Sequence, residues 1–260
     1  MVKDLKTPSV PALDRALSTL EMLANSRSGL SLPELARRLS LPKSSVHCLL
    51  LTLERRGYLH RNEKTNRYLF GYKLFSVANE ALSGIELREK AVPFLRALMS
   101  RTRLTVHLAI LERNEGVLIE KVEPAGVYKL ATWLGKRMQL HCTGVGKALM
   151  AWLPEAEVDT IVRERGFPRH NDNTVASVKK LKDELARIRK VGYAIDDEED
   201  ELGYRCIGCP IFDEHGNAIA GVSVSGTTSQ ITAENAGAVA EQVKQCAASI
   251  SALLGYSLPM

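Results

Sequence analysis

Apolar residues near the start of the chain recur at helical spacing. Leu13, Leu17, Leu20 and Leu23, with Ala16 and Ala24, fall on one side of a helix from roughly Ala12 to Asn25. The polar run Asn25 to Gly29 ends it. Ser31 stands three residues before Glu34, the spacing of a capping box, and opens a second helix through Leu39 with Leu32, Leu35, Ala36 and Leu39 as its apolar face. Ser40, Leu41 and Pro42 break that helix. Proline is tolerated only in a first turn, so a third helix is expected from Pro42 to about Arg56, closed by Gly57. Its apolar positions Val46, Leu49, Leu50 and Leu53 leave Lys43, Ser44, Ser45, His47 and Cys48 facing outward near its N-terminus. From Tyr58 to Phe70 the pattern changes to alternation around Asn62 to Asn66. This predicts a two-stranded hairpin carrying Arg61, Lys64 and Arg67.

After Gly71, the residues Leu74, Phe75, Val77, Ala78 and Leu82 predict one more helix, ending near Ser83 and Gly84. Helices are expected over Leu87 to Ser100, Thr143 to Trp152, Val178 to Val191 and Ala233 to Leu254. Strands are expected over Thr105 to Leu111, Val117 to Val122, Tyr193 to Ile195, Cys206 to Phe212 and Ala218 to Ser225, with His215, Gly216 and Asn217 in a hairpin turn. Helices before and after a run of strands indicate an α+β domain with helices packed on an antiparallel sheet.

Length and charge sharpen this division. A chain of 260 residues favours two compact domains over one. Residues 1 to 75 hold 13 Lys plus Arg against 6 Asp plus Glu, net +7, whereas the remainder holds 22 against 24, net −2. A basic head on a near-neutral body suits binding of a polyanion, because phosphate neutralisation supplies most nonspecific affinity for DNA. A helix opening with Lys43, Ser44, Ser45 and His47 can enter a major groove and touch base edges. The basic hairpin residues Arg61, Lys64 and Arg67 would lie over the backbone as a wing. No apolar run reaches membrane-spanning length, the start of the chain lacks a secretory pattern, and five scattered cysteines suit a reducing compartment, so a cytoplasmic protein with no membrane partner is expected.

Three stretches, SLPELARRLSLPKSSVHCLLLTLERRGYL with RYLFGYKLF, LHCTGVGKALMAWLP, and GYAIDDEEDELGYRCIGCPIFDEHGNAIAGVSVSG, resemble the IclR-type transcriptional regulators and together cover nearly the whole chain. The resemblance implies an α+β architecture: an N-terminal winged helix-turn-helix over residues 1–70, a linker helix over 71–84, and a GAF-like effector-binding domain over 85–260. It implies double-stranded operator DNA and a small-molecule effector as partners, repression as the commoner outcome, and a homodimer that pairs into a dimer of dimers, a homotetramer. One departure lies in the third helix, where the family often carries Arg after the Val-His pair and this chain has Cys48. A thiol cannot replace a guanidinium's forked donors, so operator preference is expected to differ.

The same resemblance places Asp196, Cys206, Ser223 and Ser225 in the effector pocket, with Val127, Leu130 and Tyr204 as its wall. Gly144 and Val145, at the start of a helix, would offer free N–H groups to a carboxylate, which makes an organic acid the expected effector. Ser223 and Ser225, two apart on a strand, face one side together. The alternative is a redox or catalytic domain using Cys206 and Cys209. A C-x-x-C on a strand, however, points its two thiols to opposite faces. No second C-x-x-C or spaced histidine pair supports a metal, and no cofactor is implied. His141 and Cys142 are adjacent and have no third orienting group, so they suggest no nucleophile pair and no enzyme. The GVGK of Gly144 to Lys147 lacks the upstream glycine and the hydroxyl residue of a phosphate loop.

Overall fold

The computed structural model describes residues 10–83, 86–126 and 130–257. The chain divides into two compact units, Met1–Gly84 and Ile85–Met260.

In the first unit, α1 (Pro11–Ala24), β1 (Leu30–Ser31), α2 (Leu32–Leu39), α3 (Lys43–Arg55), β2 (Leu59–Asn62), β3 (Arg67–Phe70) and α4 (Tyr72–Ser83) follow one another. Ser31 caps α2 as its spacing predicts: the Glu34 N–H donates to its hydroxyl, and its own N–H donates to Glu34 Oε2 at 2.7 Å. Pro42 is the residue just before α3 rather than inside its first turn, where its extended backbone suits the cap position. Leu23, Leu30, Leu35, Val46, Leu50, Leu59 and Tyr68 form one core. At about 2 kcal/mol for each large apolar side chain taken from water, these few contacts hold the small helical unit together. The strands form an antiparallel sheet in the order β1-β3-β2, with β2 and β3 making the expected hairpin. Gly71 ends that hairpin where the backbone returns against Gly57. A Cβ at Gly71 would lie 2.1 Å from the Gly57 carbonyl oxygen.

The second unit opens with α5 (Glu86–Thr102), β4 (Thr105–Glu112), β5 (Glu115–Val122) and β6 (Arg137–Met138). It continues with α6 (Gly144–Met150), α7 (Glu155–Arg165), α8 (Val178–Val191), β7 (Ala194–Asp197), β8 (Tyr204–Phe212), β9 (Ala218–Thr227) and α9 (Ala236–Leu253). Its antiparallel sheet runs β6-β5-β4-β9-β8-β7. One face packs on α5 and α9 through a core that includes Leu95, Leu98, Val106, Val222, Val243 and Ile250. A second core under α6, α7 and α8 gathers Met150, Val158, Ile161, Leu181, Leu185 and Ile188. Helices on both faces bury Ile207 to Ile211 of β8 and Ala220 to Gly226 of β9, on both sides of the sheet.

The α6 backbone lies directly on the sheet. A Cβ at Gly208 of β8 would meet the Gly144 carbonyl oxygen at 2.4 Å, so only glycine admits this approach. Thr143 caps the helix, its hydroxyl accepting from the Gly146 N–H at 3.2 Å.

Candidate functional site

Two surfaces carry the residues singled out by sequence. On α3, Val46 and Leu50 are buried, while Lys43, Ser44, Ser45, His47 and Cys48 are exposed near its N-terminus. On the hairpin, Arg61 and Lys64 are exposed. The Arg61 guanidinium donates to Asn66 Oδ1 at 2.7 Å and lies 6.0 Å from the centre of the Tyr68 ring. Asn62 Oδ1 accepts from the N–H groups of Lys64 and Thr65, fixing the turn that presents Lys64. Arg67 differs. It is half-buried, and its guanidinium is engaged inside the unit by the Gly29 carbonyl and the Glu34 carboxylate.

In the second unit the sheet register brings distant residues into rows. Directly paired residues share a face, so Ser225 of β9, Cys206 of β8 and Asp196 of β7 stand side by side, and His107 of β4 stands opposite Ser223. The start of α6 lies above these rows. They enclose a cavity of about 60 Å³ lined by Leu130, Gly144, Val145, Asp196, Tyr204, Cys206, Ser223 and Ser225, all expected from sequence. Val127 lies outside the described residues. A wider cleft of about 390 Å³ adjoins the cavity and shares Leu130, Tyr204 and Ser225 with it.

Residues the sequence did not single out complete the lining, among them His107, Thr132, Lys136, Asp200 and Glu201. His107 Nε2 is 2.9 Å from the Thr132 hydroxyl, and its Nδ1 is 3.3 Å from the Ser225 hydroxyl. Burial, reinforced by the charges of Lys121 and Lys136, holds its pKa at about 3, so the ring is neutral and presents one donor and one acceptor. Burial pushes Asp196 the other way, up to about 7, although its Oδ1 accepts from the N–H groups of Glu199 and Asp200. Gly144 and Val145 are the first two residues of α6, so neither N–H has a carbonyl within the helix to bind.

Lys147, the lysine of the GVGK stretch, is fully buried. Its ammonium donates to the Ile195 carbonyl and the Glu199 carboxylate, with Glu184 3.6 Å away. It therefore anchors α6 internally rather than reaching for a phosphate. Cys206 lines the cavity, whereas Cys209 lies in the wall of an apolar groove with Phe212 and Tyr256. The two thiols thus face opposite sides of β8, and burial pushes both well above the ordinary thiol range, against the thiolate that redox exchange requires. The His141 ring is turned to the Pro168 carbonyl at 3.1 Å and packs edge-on against Phe167. Burial and nearby carboxylates also raise the thiol of Cys142. Among the described residues no helix is long and apolar enough to cross a membrane.

Comparison with known proteins accounts for both units. Residues 12–63 match the IclR helix-turn-helix domain, and residues 79–252 match the bacterial transcriptional regulator IclR C-terminal family. The Transcriptional repressor IclR of Escherichia coli (strain K12) is 35% identical over 228 residues, covering 87% of this chain and 83% of its own. The crystal structure of the Thermotoga maritima IclR superposes with a TM-score of 0.80 at 34% identity, covering 95% of this chain and 99% of its own. An IclR homologue from Microbacterium hydrocarbonoxydans, solved in complex with 4-hydroxybenzoate, gives a TM-score of 0.81 at 25% identity and covers 95% and 100%.

Proposed function

Since this chain belongs to the IclR family of bacterial transcriptional regulators, which bind operator DNA and are not enzymes, we propose that it is a cytoplasmic repressor released or recruited by a small hydroxylated organic acid. Residues 1–70 are its DNA-binding head, α4 its linker and residues 85–260 its sensor. The observation that carries the effector assignment is the cavity under α6, whose lining joins apolar walls to a few polar groups. The two unpaired amides of Gly144 and Val145 suit a carboxylate, while His107, Asp196, Ser223 and Ser225 offer partners to hydroxyl groups. Leu130 and Tyr204 form its apolar wall and are shared with the adjoining cleft. The relative solved with 4-hydroxybenzoate supports a ligand joining a carboxylate to a hydroxyl.

At the operator, Lys43, Ser44, Ser45 and His47 enter the major groove, and Arg61 and Lys64 contact phosphates from the wing. Arg67 holds the wing in place. Leu13 and Leu17 of α1 and Tyr72 and Phe75 of α4 are exposed, and a second copy covers them in a homodimer. Pairing of dimers gives the tetramer. Effector binding changes operator affinity to the extent that it binds one arrangement of the heads better than another.

The test is a mobility shift on DNA from beside the protein's own gene, at several salt concentrations, with and without small hydroxy acids. Specific, salt-sensitive retardation altered by one acid supports the reading. Retardation indifferent to every acid removes the effector assignment, and absence of specific retardation removes the operator.

A further inference from the structure

A second opening in the sheet-bearing unit lies on the other face of β8 from the cavity under α6. Cys206 lines that cavity, while Cys209 lines a groove of about 630 Å³ between β8 and α9. Trp152, which follows α6, and Tyr256, which follows α9, complete its wall with Phe212 of β8. We infer that this groove binds a small apolar molecule carrying one negative charge, of the class of aromatic and medium-chain carboxylates.

Size and lining select the body of the ligand. The volume falls within the range of about 300–1,000 Å³ usual for small-molecule sites. Ala248 and Ala252, one turn apart on α9 and both exposed, leave the space open. Trp152 meets Phe212 edge-on with ring centres 5.5 Å apart, and Phe212 stacks on Tyr256 at 4.9 Å. Each ring is held by its neighbour, so a flat or extended apolar body laid against them gains contact area with little loss of side-chain freedom.

Charge selects its head. Among the described residues Lys244 is the one charged side chain in the wall, so the groove complements an anion. Gly192 closes α8 in left-handed backbone, and a Cβ there would lie 3.4 Å from Lys244 Cε, so the lysine stem runs along this side of the groove. Its ammonium lies 3.0 Å from Glu241 Oε1, but both side chains are exposed, and a pair so placed holds weakly enough for a ligand anion to replace it. The backbone argues against a strand as the occupant. β7 pairs with β8 only as far as Gly208, so Cys209 to Phe212 run past its end. A peptide or a second copy adding a strand there would find no N–H at Pro210 and the Phe212 N–H already donated to Ser251 Oγ at 2.9 Å. The site stands whether or not the cavity under α6 takes an organic acid, because the two lie on opposite faces of β8.

Titration of the full-length chain with anilinonaphthalene sulfonate, an aromatic monoanion that fluoresces on leaving water, tests this without DNA. One dye per chain should bind, take up energy from tryptophan in the Trp133→Phe variant, where Trp152 is the donor, and be displaced by decanoate. Ala248→Phe, at an exposed position of α9, should fill the groove and weaken dye binding by about tenfold or more. Lys244→Gln should weaken the anionic dye by about three- to tenfold and leave its neutral counterpart, phenylnaphthylamine, unaffected. Ser223→Ala should change neither. Dye affinity unaltered in Ala248→Phe overturns the site. So does a parent chain that takes no dye, and one whose assembly comes apart in Ala248→Phe would give the groove to a second copy instead. If Ala248→Phe does not fold, equal affinity of the anionic dye for the parent and Lys244→Gln overturns the proposal equally.

Discussion

Arg67 and Glu34 are joined across the first unit, Arg67 Nη2 lying 3.2 Å from Glu34 Oε1 while Arg67 Nη1 donates to the Gly29 carbonyl at 2.7 Å. The other oxygen of Glu34 accepts from the N–H and hydroxyl of Ser31. One carboxylate thus both caps α2 and ties down the wing strand. The hydrogen bonds from Ser31, and then the charge of Arg67, hold its pKa at about 2 against an ordinary 4.5.

The sign of the resulting pH dependence follows. Between pH 4.5 and 2 the unfolded chain binds the proton at Glu34 and the folded chain does not, so this contribution to stability is complete above 4.5 and is lost as pH falls through 2. Glu34→Gln keeps a side chain able to complete the capping box but has no proton to bind. Urea midpoints measured from pH 2 to 5 should therefore fall less steeply for Glu34→Gln than for the parent. Parallel curves would show that the carboxylate does not carry the slope.

Lys64 and Arg67 should separate in salt dependence. If Lys64 neutralises one phosphate, Lys64→Ala lowers the slope of log affinity against log salt by about 0.9. Arg67→Ala should lower the thermal midpoint and leave that slope nearly unchanged, because its donors are engaged within the unit. Equal slope changes in mobility shifts would return Arg67 to the phosphate-contacting set.

Ser223→Ala should leave operator affinity unaltered in the absence of effector. Loss of one hydrogen bond to the ligand, about 0.5–1.5 kcal/mol, should raise the effector concentration needed for half-response by about two- to tenfold. A dose–response curve coincident with the parent's would remove Ser223 from the ligand's partners.

Gly208→Ala should destabilise the second unit by about 1–3 kcal/mol, since its methyl would sit 2.4 Å from the Gly144 carbonyl oxygen and neither backbone can yield without moving α6. Denaturant midpoints check this. An unaltered midpoint would mean that α6 shifts freely.

The periodic elements were legible because burial imposes their period. The bounds of α8 follow directly from Leu181, Leu185 and Ile188 on one face and from Ser177 and Gly192 at its ends. The missed helix α7 buries only Val158 and Ile161, too few to mark a stripe, and β1 and β6 are two residues each, too short to alternate. Ser223 and Ser225 could be assigned to one face because their spacing lies within one strand. His107 could not, because its place depends on pairing with Ser223 more than a hundred positions away, and local pattern does not encode register.

Cys48 is the exposed member of the five free cysteines and sits on the outward face of α3. The chain therefore carries a natural attachment point for a fluorescent label beside the surface proposed to meet the operator. A thiol-directed dye added sparingly should reach this position first, and if α3 meets the operator as proposed, bound DNA should slow its labelling. Labelling rate thus becomes an optical reading of promoter occupancy that needs no engineered residue.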